Sequence, residues 1–365
     1  MNDSHNALLQ LLRLSLGNTN TVSCDPEATD WHKIYIDSRR QGVSSVAFDS
    51  FEKLPTSSRP DKALLIKWLG EALMNEKIFL SYVDTIAQLS SLVERLGFRM
   101  ILLKGYGCSI NYPEPKHRPC GDIDIFLLDS NGLHTKEMQK QLEESLFREY
   151  GITIDNANGH HSQFMFHGFL VENHSSILDI DAHKSSVHLE ILLEKLISED
   201  SREVEIGGKH ICLPSIKFNS IHLLRHMASD FATVKTTLRH VLDWSTMIAT
   251  NTIEWSFIHE VAHHTNMNRF LDALNGICVH YLGYSEEKFP IEKRDEKMEN
   301  KVLEEILMST DSVEHISSNA SLLQKYCYAL EKTKRMWKNR WKYQIVYDET
   351  LLESFWWKAK KRRFV

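Results

Sequence analysis

Apolar residues recur at spacings of three and four through the first 97 residues. "HNALLQLLRLSL" is one such stretch, and "DWHKIYIDSRRQGVSSVAFDSFEKL" reads as two helices broken at Gly42. A longer segment, "RPDKALLIKWLGEALMNEKIFLSYVDTIAQLSSLVERLG", starts behind Pro60 and stops at Gly97. A helical hairpin or small bundle is expected here.

The pattern changes at Phe98. "FRMILLKG" is a short apolar run closed by Gly, and "GDIDIFLL" is a second, both with the length of buried strands. "HTKEMQKQLEESLFREYG" returns to helical spacing and closes at Gly151. "ITID", "SQFMFHG" and "FLVENHSSILDI" read as strands, the last two forming a hairpin at Gly168. "VHLEILLEKLI" is helical, and "REVEIGGKHICLP" is a hairpin turning at Gly207-Gly208. From Ser215 the spacing is helical again, through "SIKFNSIHLLRHMASDF", "TTLRHVLDWSTMIAT", "WSFIHEVAHHT" and "MNRFLDALNGICVHYLG". The expected fold class is α/β (α+β). A small mixed-sheet core at 98–213 is flanked by a helical region at 1–97 and a helical domain at 214–365.

Composition adds limits. The 365 residues are 42% hydrophobic and 25% charged, enough for a normal core in one or two domains. A net charge of −6 argues against a protein that coats nucleic acid. The charge is uneven, since 332–365 holds 11 Lys/Arg against 3 Asp/Glu. Aromatics interleave those bases, which suits an anionic partner, or a terminal helix packing its Trp residues on the body. The six cysteines are scattered with no CxxC pair, so neither a zinc ribbon nor a disulfide framework is expected. The N-terminus lacks a basic leader and no apolar run reaches a membrane span, so a cytoplasmic protein is expected.

The chemistry concentrates in "LLKGYGCSINYPEPKHRPCGDIDIFLL". On a strand Asp122 and Asp124 share one face, while Ile123 and Ile125 point the other way into a core. Two carboxylates this close repel unless a cation sits between them. Magnesium prefers a couple of carboxylates plus substrate phosphate oxygens, and a third carboxylate from a neighbouring strand would complete a two-metal site. Lys104, just past a strand, is placed to neutralise phosphate, and Arg118 to contact it bidentately.

This stretch resembles the nucleotidyltransferase superfamily with the DNA polymerase beta-like fold. It is most similar to a bacterial branch with Lys-Gly after the first strand, then Tyr-Pro, Arg and Gly-Asp-x-Asp. The matching residues are Lys104-Gly105, Tyr112-Pro113, Arg118 and Gly121-Asp122-x-Asp124. That branch carries a later Glu-x-His, supplied here by Glu172 and His174 in "FLVENH". The resemblance makes Glu172 the third carboxylate, with Asp179, Asp181 and Glu190 as rivals. It covers Phe98 to Ala249 closely, including the His-rich helix before Arg239 and Asp243-Trp244. Tyr106 departs from it, because the superfamily keeps a small residue there. Gly107 or Ser109 is the expected compensation, through a backbone amide at a helix N-terminus.

The resemblance implies magnesium- or manganese-dependent transfer of a nucleoside monophosphate from an NTP such as ATP to an acceptor hydroxyl. Asp122, Asp124 and Glu172 would be the catalytic metal ligands. Lys104, Gly105, Ser109, Arg118, Gly121 and His174 would hold the nucleotide. The acceptor, whether small molecule, sugar, protein or RNA, is not encoded in any motif. The alternatives are a metal-dependent glycosyltransferase using sugar nucleotides and a non-catalytic nucleotide-binding module on the same fold. The helical 1–97 counts against the former, which usually places an α/β half before its Asp-x-Asp. His222 and His226, one helical turn apart, form a zinc pair only with a third ligand. His226, Arg239 and Asp243 either line the cleft or pack the helices. Cys108 and Cys120 read as packing residues.

Overall fold

The computed structural model describes residues 3–22, 29–155, 161–180, 183–233, 236–309, 337–347 and 349–361, with Ser321 and six residues between 326 and 334. Cys24, His160, Asp181 and Cys327 lie outside the described residues.

Among the described residues, four α-helices precede the first strand: α1 (Asp3–Ser15), α2 (Trp31–Arg40), α3 (Ser44–Phe48) and α4 (Lys62–Arg95). The break at Gly42 is present, between α2 and α3. The long segment is one uninterrupted helix of 34 residues. Asp61 starts it by accepting the Ala63 and Leu64 N–H groups, which have no partner inside the helix.

Six strands form one sheet: β1 (Arg99–Leu102), β2 (Ile123–Leu128), β3 (His161–Phe166), β4 (Phe169–His174), β5 (Ser201–Ile206) and β6 (Lys209–Pro214). Their order is β3-β4-β2-β1-β6-β5. The pairs β1–β2, β3–β4 and β5–β6 are antiparallel, whereas β2–β4 and β1–β6 are parallel, so the sheet is mixed. Two expected strands are shorter than the apolar pattern suggested. "ITID" contributes only an isolated bridge, Asp155 to Gln163. The run "FLVENHSSILDI" leaves the sheet after His174, because the buried Glu190 carboxylate accepts the Ile177 and Leu178 N–H groups, each at 2.7 Å. Those two amides therefore need no ladder partner.

The sheet buries both faces, and the period of two divides its side chains between two cores. Ile123, Ile125 and Leu127 pack with Met100 and Leu102 of β1 against Ile86 of α4 and Leu142 of α6 (Lys136–Tyr150). Ile101, Phe126 and Leu128 face the other way into a larger core. That core joins α1 and α2 to α7 (Lys184–Glu199), α8 (Ile216–Ala232), α9 (Leu238–Thr250), α10 (Trp255–His264) and α11 (Asn268–His280). Asp124 shares the Phe126 and Leu128 face, and so looks toward the helical layer.

Between β1 and β2 the chain makes a tight turn at Gly105 and a single helical turn, α5 (Tyr106–Ser109). Gly105 has φ +61, a conformation that L side chains rarely adopt. A Cβ here would also stand 2.1 Å from the Tyr82 hydroxyl of α4. That hydroxyl donates to the Asp122 carbonyl at 3.0 Å, so α4, the turn and the first acid are locked together. Tyr106, the departure from the small-residue pattern, stacks on Phe79 of α4 with ring centroids 5.8 Å apart.

Within 339–347 the helix Arg340–Val346 packs on the body: Lys342 lies over the Phe231 ring and pairs with Glu305 at 2.8 Å. Trp337 and Trp356 remain exposed. Among the described residues, no helix is long and apolar enough to cross a membrane.

Gly105→Ala is expected to destabilise the protein by about 2 kcal/mol, since strain and clash add. Tyr82→Phe should cost about 1 kcal/mol through the lost hydrogen bond. Because it also removes the clashing oxygen, the double variant should lose clearly less than the sum in urea denaturation, whereas full additivity would show that the two positions do not meet.

Candidate active site

The sheet register brings the acids together. Asp124 on β2 stands directly opposite Glu172 on β4, and Phe126 opposite His174. Residues opposite each other on adjoining strands project to the same face, so both carboxylates and the imidazole point toward α8 and α9. Ligand atoms of Asp124, Glu172 and His174 all lie within 4.8 Å of one another.

The two acids of the Asp-x-Asp pair have unlike surroundings. Asp122 precedes the strand and is exposed, while Asp124 is 2% exposed. A buried carboxylate stays ionised only if cations or donors compensate it. The Lys104 ammonium lies 2.8 Å from Asp124 Oδ1, and His174 Nε2 lies 3.0 Å from the same oxygen. Burial pushes the Asp124 carboxyl up, yet Lys104 and His174 outweigh it and hold it well below the usual carboxylate range. Burial likewise works against the Lys104 ammonium, but Asp124 and Asp122 raise it above an ordinary lysine. Both groups are therefore charged at neutral pH.

Glu172 is held by residues the sequence did not single out as partners. Gln163 on β3, directly opposite in register, donates its amide to Glu172 Oε1 at 2.7 Å. His161 Nε2 lies 3.5 Å from that oxygen, and His174 Nε2 3.7 Å from Oε2. The alternation in "HSQFMF" was the available signal for Gln163, because the hairpin at Gly168 fixes which residue faces Glu172. The rivals lie elsewhere: Glu190 holds the backbone after β4, and Asp179 is exposed beyond the strand.

A cavity of about 240 Å³ opens in front of Lys104, Gly105, Gly121, Asp122 and Asp124. Its opposite wall is helical, with His226 and Asp230 from α8 and Arg239, His240 and Asp243 from α9. His226, Arg239 and Asp243 thus face the cleft. Ser109, whose backbone amide was expected near phosphate, does not line it: the residue is fully buried and its N–H donates to the Gly105 carbonyl at 3.2 Å. Arg118 lines the cavity, but its fork is engaged. Nε and Nη2 donate to the two Asp243 oxygens, each at 2.8 Å, and Nη1 donates to the Pro119 carbonyl. Tyr112 donates to Asp243 Oδ1 at 2.7 Å, so this buried triad ties the motif loop to α9. Among the described residues Arg239 makes no such pair, and it lines the same cavity.

A second cluster, His226, Asp230 and His240, has ligand atoms equally close, with Asp230 Oδ2 lying 3.5 Å from His226 Nε2 and 3.7 Å from His240 Nε2. Burial pushes both imidazoliums down to about 3. The Thr237 N–H donates to His240 Nδ1 at 3.1 Å as part of the α9 capping box. A nitrogen that accepts a backbone N–H carries no proton, so the neutral ring keeps its proton on Nε2, facing Asp230. A metal at Nε2 would need the other tautomer. The three residues line the helical wall of the cleft, and His222 is buried beside His226. Burial raises the Cys108 and Cys120 thiols to about 12 and about 11, which leaves both protonated and unreactive.

Asp243→Ala leaves the Arg118 charge buried without its partner and is expected to cost about 3–5 kcal/mol in urea denaturation. The double variant Arg118→Met/Asp243→Leu should recover most of that loss. Equal losses for the two variants would mean that the ion pair is not what ties the loop to α9.

No curated protein matches the chain. Among solved structures it is similar to an antigenic nucleotidyltransferase-like protein from Paracoccidioides brasiliensis, at 12% identity and a TM-score of 0.33, over 51% of this chain and 86% of that one. The family model described as "Uncharacterised nucleotidyltransferase" matches residues 27–283, from before α2 to the end of α11, and so takes in the sheet and both walls of the cleft. The chain belongs to that nucleotidyltransferase family.

Proposed function

We propose that the protein transfers a nucleoside monophosphate from an NTP to an acceptor hydroxyl and releases pyrophosphate, with a divalent cation bound at Asp122, Asp124 and Glu172. The observation that carries this reading is the placement of Glu172 opposite Asp124 on adjoining parallel strands, where Asp124 lines a cleft with cations on both walls. Membership of a nucleotidyltransferase family favours it over the sugar-nucleotide alternative.

The donor set fits a cation. Asp124, Glu172 and His174 present two carboxylates and one imidazole within 4.8 Å, and Asp122 stands two residues away on the same face. All-oxygen sites suit magnesium, while an imidazole among the ligands moves the preference toward manganese. When bound, such a cation lowers the pKa of a coordinated hydroxyl and offsets charge on phosphate oxygens.

The chain's own residues divide the remaining work. Lys104 lies between the acids and the cleft and neutralises triphosphate charge as a point cation. Arg239 offers the guanidinium that Arg118, held by Asp243, does not. Gly121, where a Cβ would meet nothing within 4 Å, leaves the cleft lining without a side chain, so phosphate reaches backbone there. Gln163 and His161 fix the Glu172 carboxylate in the orientation needed to take up an acceptor proton. His226 and His240, neutral at pH 7, line the wall without repelling the ammonium of Lys104.

Transfer of label from α-labelled NTPs, with manganese or magnesium and a mixture of hydroxyl acceptors, tests the reading. Asp122→Asn and Asp124→Asn should each lower transfer by about 10²-fold or more while circular dichroism is unchanged. Gln163→Ala should lower it less, about tenfold, as an orienting group would. Transfer that is unaffected by Asp124→Asn would rule the proposal out.

A further inference from the structure

Helix α4 is apolar on two opposite sides. Leu64, Trp68, Ala72, Phe79 and Tyr82 face the body and are buried. On the far side Ile66, Leu73 and Leu80 follow at intervals of seven, and are 59%, 54% and 60% exposed. Leu69 and Met74 widen this stripe. A seven-residue repeat keeps side chains on one line of a helix, here for about 21 Å. The outer face of a surface helix is ordinarily polar, and a continuous apolar stripe there marks a place where another helix packs.

We propose that α4 is a dimer interface, and that two copies of this chain pack their α4 helices antiparallel across a two-fold axis at Leu73. A two-fold interface must be complementary to itself. The stripe meets that condition in shape and in charge. With Leu73 on the axis, Ile66 of one copy meets Leu80 of the other. Lys62 and Asp84 stand at equal distances on either side of Leu73, so each Lys62 ammonium faces an Asp84 carboxylate of the second copy. Asp84 keeps one oxygen for this, since Gln88 donates only to Oδ2. Gly70, on the same face with nothing within 4 Å of a Cβ position, lets the helices approach closely. Lys77 lies inside the stripe, where its stem covers Leu69 of the second copy and its ammonium reaches the rim. The opposite face of α4 holds Tyr82 and, through it, the Asp122 carbonyl, so one helix pair would brace two clefts.

Sedimentation velocity on the full chain at about 50 µM tests this, with a dimer as the expected species. Leu73→Glu puts two carboxylates on the axis and should give a monomer. Its circular dichroism should not change, because Leu73 makes no part of the buried face. Lys62→Glu should raise the dimer dissociation constant about tenfold. Adding Asp84→Lys should bring it back, which only the antiparallel register explains. A wild-type monomer at that concentration, a dimer untouched by Leu73→Glu, or a double variant that stays weak would each overturn the proposal.

Discussion

The rest of the site is arranged around one electrostatic constraint: Asp124 is buried on a central strand and remains charged. A carboxylate removed from water costs several kcal/mol unless it is paired and hydrogen-bonded. Here Lys104 and His174 both reach Oδ1. The parallel register of β2 and β4 adds a second carboxylate, Glu172, directly alongside. Two acids side by side raise the cost again, and Gln163, His161 and His174 answer it from the neighbouring strands. The result is a concentration of negative charge, part of it neutralised in advance, which is the setting of the proposed cation site.

The scaffolding around this group follows from the need to hold it still. Strand β2 is buried along all six residues, so Asp124 cannot shift without disturbing two cores. The turn before it is fixed by Gly105, Tyr82 and the Asp122 carbonyl. The loop between is fixed by Arg118, Tyr112 and Asp243, a buried charge pair with its hydrogen bonds satisfied. Such a pair contributes geometry more than stability. It sets the distance between the sheet and α9, and with it the width of the cleft that Arg239 enters.

Much of this was legible in the sequence, and the exceptions have physical causes. The alternation of Asp122, Ile123, Asp124 and Ile125 gave both the strand and the orientation of the acids, since period two admits no other reading on a buried strand. Glu172 and His174 came from the resemblance to nucleotidyltransferases, and the period of two only put them on one face. What sequence spacing does not carry is the far partner of a charge. Arg118 read as a phosphate ligand because Asp243 lies 125 residues further on, and only the packing of α9 brings it near. Ser109 read as a phosphate contact through its backbone amide, whereas that N–H donates to the Gly105 carbonyl within the one-turn helix. The strand expected through Ile180 stops at His174 because Glu190 caps two amides from another helix. Helix α4 carries apolar residues on two sides. Which of its two sides meets the body appears only when Trp68 and Phe79 are seen to turn inward.

The most direct test of the central claim is a crystal structure of the protein grown with manganese and a non-hydrolysable NTP analogue, read from anomalous scattering at the manganese edge. The expected result is an anomalous peak coordinated by Asp124 and Glu172, with the triphosphate against Lys104 and Arg239. An analogue bound in the cleft with no anomalous peak between those two carboxylates, and Lys104 still paired to Asp124, would contradict it.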